Sequence, residues 1–306
     1  MPCFYFQHMP TMAQFNHQYG ILMKKLILFL LLLGMSLSAD TIKCVSHRGE
    51  EFAAPEASRP AFELAMKLSA DIIKLDVRST KDGVLVLSHD ETLKRTMNWD
   101  VKVAAKTFAE LKKQGTFLEV GGYKNEKLLT LAEALEIVKT APEFWLDPKD
   151  KSPETIDNAV KMMLDAGIRP QQIMIAAFSN TVLEYARKKY PDIRRVKHLV
   201  IRKIASGKYK GMYSGNFKPN LYKDSAAITR ALIAEQKRLG LYGVNIPLKA
   251  FSAGIYTAGE MQKLRENKLW CALYFVHDSA TAEYAGKLKS DAFVTGAIEK
   301  VRSYCK

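Results

Sequence analysis

Two histidines stand out for what surrounds them. His47 opens the tripeptide His47-Arg48-Gly49 and His89 opens His89-Asp90, each directly after a short apolar run. An imidazole at the end of a buried strand can take or give a proton near neutral pH. Lys74 and Asp76 lie between them, and Asp147 and Lys149 follow further on, so that two carboxylates each have a lysine two residues away. Two-residue spacing on a strand puts both side chains on one face. Two histidines, two carboxylates, an arginine and two lysines together make an acid–base pair in surroundings that suit a phosphate group. His198 and His277 have no such companions and are read as structural, and Asp82-Gly83 is read as a turn.

These residues need strands that carry them to one mouth. Strand-like apolar runs occur at 42–46, 72–77, 84–88, 144–147, 173–178, 196–201, 242–246, 271–276 and 292–295. Amphipathic helical stretches at 61–68, 131–139, 153–166, 181–189, 226–239 and 258–267 separate most of them. Alternation of this kind predicts parallel β/α units. The expected fold is a single α/β domain, a (β/α)8 barrel of the usual size of about 250 residues. Nine runs exceed the eight strands of such a barrel, and 242–246, the weakest, is expected to be a loop. Val77 and Val84 are too close for a crossover helix between them. The polar, lysine-rich stretch 89–131, containing GTFLEVGGYKNEK, reads as a loop-rich insertion after the third strand that shapes the pocket mouth.

The chain has 306 residues, 48% hydrophobic and 25% charged, which are the proportions of a folded globule. A disordered chain, a collagen-like fibre and a coiled-coil rod are excluded. Four cysteines without a CxxC pair speak against a zinc ribbon or a thioredoxin-type site. From Met23 the sequence reads MKKLILFLLLLGMSLSAD: two lysines, an apolar core too short to span a bilayer, then small residues. Residues 1–39 are therefore expected to be a translation start placed too early plus a secretory signal peptide cleaved near Ala39. The barrel domain then occupies 40–306, and the protein is expected to be exported, periplasmic or secreted. Cys44, Cys271 and Cys305 remain, an odd number, with Cys44 and Cys271 inside apolar runs. No structural disulfide is expected from that arrangement. The net charge is +14, and Arg194, Arg195, Lys197, Arg202, Lys203, Lys208 and Lys210 follow one another without an acid. Such a run is a solvated basic face or a surface for anionic headgroups at a membrane. No nucleic-acid-binding module is visible.

The run SHRGEEFAAPEASRPAFELAMKLSADIIKLDVRSTKDGVLVLSHDETLKRT resembles the signature of the glycerophosphodiester phosphodiesterase family. That signature has HRG, PENT before a helix, a Glu-x-Asp strand, TKDG, and HD followed by TLxRT. LLTLAEAL, FWLDPKD, AAFSN and DAFVTG continue the resemblance in order, loosely after Tyr190. The resemblance implies the β/α barrel and hydrolysis of glycerophosphodiesters to glycerol 3-phosphate and an alcohol, and the expected substrate is a glycerophosphodiester or a related lysophospholipid or phospholipid headgroup. It further implies His47 and His89 as the acid–base pair and Arg48 as a phosphate contact, with Lys149 near the phosphate. Lys74, by its own chemistry, is expected to pair with Asp76 and reach a phosphate oxygen in the cation's place. It also implies a calcium or magnesium ion held by Asp76 and Asp147. The chain departs from the pattern in four places: Pro55-Glu56-Ala57-Ser58 for PENT, Asp147 for a more usual glutamate, Gly296 for a frequent aspartate, and Lys74 for the first metal-binding glutamate. The last change weakens the cation site, which Glu50, Glu51 or Glu56 of the first loop would have to help complete. The alternative function is a barrel that binds phosphodiester headgroups with little turnover.

Overall fold

The computed structural model describes residues 41–203, 209–213 and 219–305, so the expected signal peptide lies outside the described residues. Twelve strands are found there: β1 (Lys43–His47), β2 (Ile72–Ser79), β3 (Leu85–Leu87), β4 (Glu143–Pro148), β5 (Ile173–Ala177), β6 (Arg194–His198), β7 (Ile201–Lys203), β8 (Tyr209–Tyr213), β9 (Pro219–Tyr222), β10 (Gly243–Pro247), β11 (Trp270–Tyr274) and β12 (Ala292–Thr295). Eight of them, in the order β1-β12-β11-β10-β6-β5-β4-β2, pair in parallel, and β1 with β2 closes the ring. This is the (β/α)8 barrel.

The runs read as continuous rather than alternating because each barrel strand is buried on both faces. Phe144 and Leu146 of β4 join the large cluster beneath the helices, while Trp145 between them joins Val45, Ile72, Met174, Val196, Ala272 and Val294 in a separate one, the barrel interior. The intervening helices start where side chains satisfy their free N–H groups. Ser58 caps Arg59–Lys67, Thr130 forms a capping box with Glu133 at Leu131–Val138, and Asp224 caps Ser225–Leu239.

The assignment of the nine runs needs correction. The run at 242–246 is not a loop but β10, paired with β6 and β11. The supernumerary strand is β3, which runs antiparallel to β2 beside the barrel, as the short Val77–Val84 connection requires. The insertion after β3 is mostly loop, as expected. It contains helical segments Lys94–Met97, Val103–Ala105 and Phe108–Gln114 around a small core of Leu93, Met97, Val103, Leu111 and Phe117.

Two further expectations fail for reasons of topology. Cys44 and Cys305 form a disulfide, with Cα atoms 5.7 Å apart. Closure of β1 against β12 returns the end of the chain to the start of β1, and the odd cysteine is Cys271, free and buried. The basic run, in turn, is not one solvated face. Lys197 is fully buried and pairs with Glu235 at 3.1 Å, and Arg195 donates to the carbonyls of Ile193, Leu239 and Gly240. Arg194 lies 3.4 Å from Glu143 and over the ring of Tyr242. The side chains of Arg202, Lys203, Lys208 and Lys210 lie outside the described residues.

Candidate active site

The carboxyl ends of the barrel strands carry nearly every polar residue singled out from the sequence, as expected of this architecture. His47 ends β1, Asp76 lies on β2 level with Asp147 on β4, and His47 is level with Lys74. A cavity of about 70 Å3 opens there, lined by His47, Arg48, Lys74, His89, Asp147 and Lys149 from the first four strands. Phe178, His198, Asn245, Tyr274, Phe275 and Val294 complete its wall.

The first turn is shaped by its sequence. Arg48 and Gly49 both have positive φ, 62° and 87°. A Cβ on Gly49 would lie 2.6 Å from the backbone of Ala61, so only glycine lets the helix Arg59–Lys67 approach this closely. The turn aims Arg48 at Asp76, to which its Nε donates at 2.9 Å, while Nη1 donates to both oxygens of Glu56 at 3.1 Å. Arg95 of the insertion donates to Glu56 at 2.9 Å and to Asp90 at 2.6 Å, tying the two sides of the mouth together.

Both histidines are held in the same way. Nδ1 of His47 lies 2.6 Å from Oε1 of Glu51, and Nδ1 of His89 lies 2.6 Å from Oδ1 of Asp90. A carboxylate at Nδ1 places the proton there and leaves Nε2 as the basic nitrogen. Burial, reinforced by Arg48 and Lys74, holds His47 well below the ordinary imidazole range. Burial and Lys149 bring His89 down to about 4. Glu51 is pushed up to about 7 by burial, against the pull of Arg48.

The charged floor is crowded. Lys74, Asp76 and Asp147 are each no more than 3% exposed. The ammonium of Lys74 pairs with Asp76 and lies 2.9 Å from Asp147, and that of Lys149 lies 2.7 Å from Asp147 and 3.3 Å from Asp76. Burial disfavours each charge, but the partners prevail for three of the four. Asp76 and Asp147 stay well below the carboxylate range beside the two lysines, and Lys74 is raised beside the two carboxylates. Burial still lowers Lys149.

These residues do not make a divalent-cation site. The oxygens that would face a metal are taken by ammonium groups, and among the described residues no group of three His, Cys, Asp or Glu could hold one. The first loop does not supply the missing ligands. Oε2 of Glu50 accepts from the backbone N–H of Ile298 at 2.7 Å, Glu56 is taken by Arg48 and Arg95, and Glu51 serves His47.

His198, read as structural from the sequence, also lines the cavity. Its Nε2 lies 3.1 Å from Oδ2 of Asp147, its Nδ1 lies 3.1 Å from Nδ2 of Asn245, and its ring stacks on Trp145. The only sequence signal for it was its place at the end of a strand, where the other site residues also lie. Asn245 and the rings of Tyr274 and Phe275 had no signal at all. His277 lies outside the cavity lining, against the ring of Phe275 and under the N–H of Gly296.

The sequence model of the glycerophosphoryl diester phosphodiesterase family matches residues 47–300. The chain belongs to this family. The glycerophosphodiester phosphodiesterase of Bacillus subtilis is 31% identical over 195 residues, covering 56% of this chain and 64% of that protein. That of Caldanaerobacter subterraneus is 32% identical over 155 residues, covering 49% of this chain and 63% of that protein. The matched segments thus span just under two thirds of these relatives. Among solved structures, an Oleispira antarctica phosphodiesterase in complex with the product sn-glycerol-3-phosphate superposes with a TM-score of 0.68 at 21% identity, over 86% of this chain and 96% of that one. The glycerophosphodiester phosphodiesterase of Thermotoga maritima does so with a TM-score of 0.63 at 22% identity, over 84% and 96%. Both likenesses concern the barrel fold.

Proposed function

We propose that this member of the family hydrolyses glycerophosphodiesters to glycerol 3-phosphate and an alcohol, with His47 and His89 as its acid–base pair. The observation that carries the reading is the matched pair of imidazoles in one cavity, each with a carboxylate 2.6 Å from Nδ1. Binding alone has no need of two such arrangements. One Nε2 removes a proton as water attacks phosphorus, and the other delivers a proton to the departing alkoxide. Entry of the phosphodiester anion raises the proton affinity of both imidazoles, so one of them takes part as imidazolium. Arg48, Lys74 and Lys149 offset the charge on the phosphoryl oxygens, a role that calcium or magnesium fills elsewhere. Release of glycerol 3-phosphate from a panel of glycerophosphodiesters, with chelator and with added calcium, tests this. Turnover that survives chelator supports the lysine-based site, and turnover that needs calcium refutes it.

The ion pairs of Lys74 favour one second reading, a barrel that binds phosphodiester headgroups with little turnover. Saturable phosphodiester binding with no product under either condition would select it. We further propose that the protein is exported, to the periplasm or beyond. The Cys44–Cys305 disulfide supports this, since such bonds persist in oxidising compartments.

A further inference from the structure

The cavity has two unlike halves. Arg48, Lys74 and Lys149 make one of them charged, and the phosphate group belongs there. Across the mouth the wall is Phe178, His198, Asn245, Tyr274 and Phe275. A phosphate seated on the cations turns one of its two ester groups toward this second half.

The polar atoms of that half are engaged, with one exception. Nε2 of His198 donates to Asp147 and its Nδ1 accepts from Nδ2 of Asn245, each at 3.1 Å. Burial keeps the ring neutral, and a neutral ring whose proton faces a carboxylate has only a lone pair at Nδ1. The hydroxyl of Tyr274 donates to the carbonyl of Leu199. What remains is Oδ1 of Asn245, the far end of an amide whose orientation the imidazole fixes. Asn245 is 4% exposed, and among the described residues this oxygen has no hydrogen-bond partner.

A buried acceptor without a donor is destabilising. The strand cannot supply one. Val244 and Ile246 join the core beneath the helices, so Asn245 between them faces the barrel interior. The residues level with it on β6 and β11 are His198, already engaged, and Ala272, which has no polar side chain. The donor has to come with the ligand.

We propose that Oδ1 of Asn245 accepts a hydrogen bond from a hydroxyl of the substrate's glyceryl group, which makes Asn245 the residue that selects a hydroxyl-bearing ester over a plain alkyl one. The inference rests on the phosphodiesterase reading and adds to it the residue that recognises the glyceryl group. A quaternary ammonium has no N–H to give, so the same atom turns glycerophosphocholine with its glyceryl end inward.

The test follows choline release from glycerophosphocholine and from propylphosphocholine, which lacks both hydroxyls and carries the same charge. A buried acceptor left without its donor costs roughly a five- to hundred-fold factor, so wild-type kcat/KM should favour the glyceryl substrate by at least about ten-fold. Asn245→Leu should bring that ratio to within about three-fold, whatever the absolute rates. Asn245→Asp, which keeps an acceptor but loses the donor to His198, should retain the preference. No preference in the wild type, or an unchanged ratio in Asn245→Leu, overturns the proposal. A preference lost equally in Asn245→Asp assigns it to the imidazole and overturns it too. Hydrolysis of neither substrate defeats the phosphodiesterase reading instead. The contact is then decided by calorimetry with sn-glycerol 3-phosphate against propyl phosphate. A gap of about ten-fold that closes in Asn245→Leu sustains it, and equal affinity in the wild type overturns it.

Discussion

Replacing His47 or His89 by alanine removes one half of the proposed proton exchange, and turnover should fall at least ~100-fold in a folded protein. Activity within a few-fold of wild type in either variant would contradict the assignment. The pH profile gives a second handle. Glu51 ionises only as pH rises through about 7, and only then does it accept cleanly from His47. The imidazole of His89 is already neutral above about 4. Because the reaction also needs one imidazole protonated, the free enzyme carries the right number of protons between about 4 and 7. The kcat/KM of the wild type should therefore fall as pH rises through 7, and Glu51→Gln should move that fall toward 4. An unmoved profile would show that Glu51 does not govern it. Lys74 decides the metal question. An ammonium about 4 Å from a divalent ion costs roughly 8 kcal/mol at an effective dielectric of 20, so calcium should bind weakly to the wild type and more tightly to Lys74→Glu. Micromolar binding by the wild type, unimproved in the variant, would refute this in a calorimetric titration. His47, His89, Lys74 and Asp76 were legible because each sits in a short local motif. His198 was not, because Asp147 and Asn245, which give it meaning, are 51 and 47 residues away and meet it only in the closed barrel.

Elements were legible where burial alone decides them. The apolar runs at 72–77 and 144–147 became β2 and β4 within a residue or two. The run at 242–246 misled because β10 contains Asn245, a polar residue that the barrel needs at its mouth. The helix Ser279–Lys287 went unnoticed because its inner face is made of alanines, Ala282 and Ala285, too small to mark a period. Gly296, where the family often has aspartate, acquires a reason from its neighbours. A Cβ there would fall 2.2 Å from Cγ of Glu51, in the space that lets Glu51 reach His47. Gly296→Ala should displace Glu51, lower kcat by about ten- to hundred-fold through misplacement of the imidazole, and leave the melting temperature nearly unchanged. An unaltered kcat would show that Glu51 has another route to His47.

At the scale of the whole molecule, the closed ring brings the two ends of the barrel together, and the pairing of Cys44 with Cys305 follows from closure rather than from any local spacing. Counting cysteines could not reveal it. Loss of the bond in Cys305→Ser should cost about 2–5 kcal/mol, roughly 5–15 °C in Tm for a domain of this size; an unchanged Tm would show the bond to be dispensable. If the chain is exported as proposed, mass spectrometry of protein recovered from the cell envelope should find no residues from 23–39, and an intact amino terminus upstream of Lys24 would refute that. The bond also bears on survival among secreted proteases. It links positions 261 residues apart in sequence, so a single cut in any loop of the barrel leaves two fragments joined through sulfur. Such a nicked barrel should migrate as one species on a non-reducing gel, separate only after reduction, and keep its strands close enough to close again.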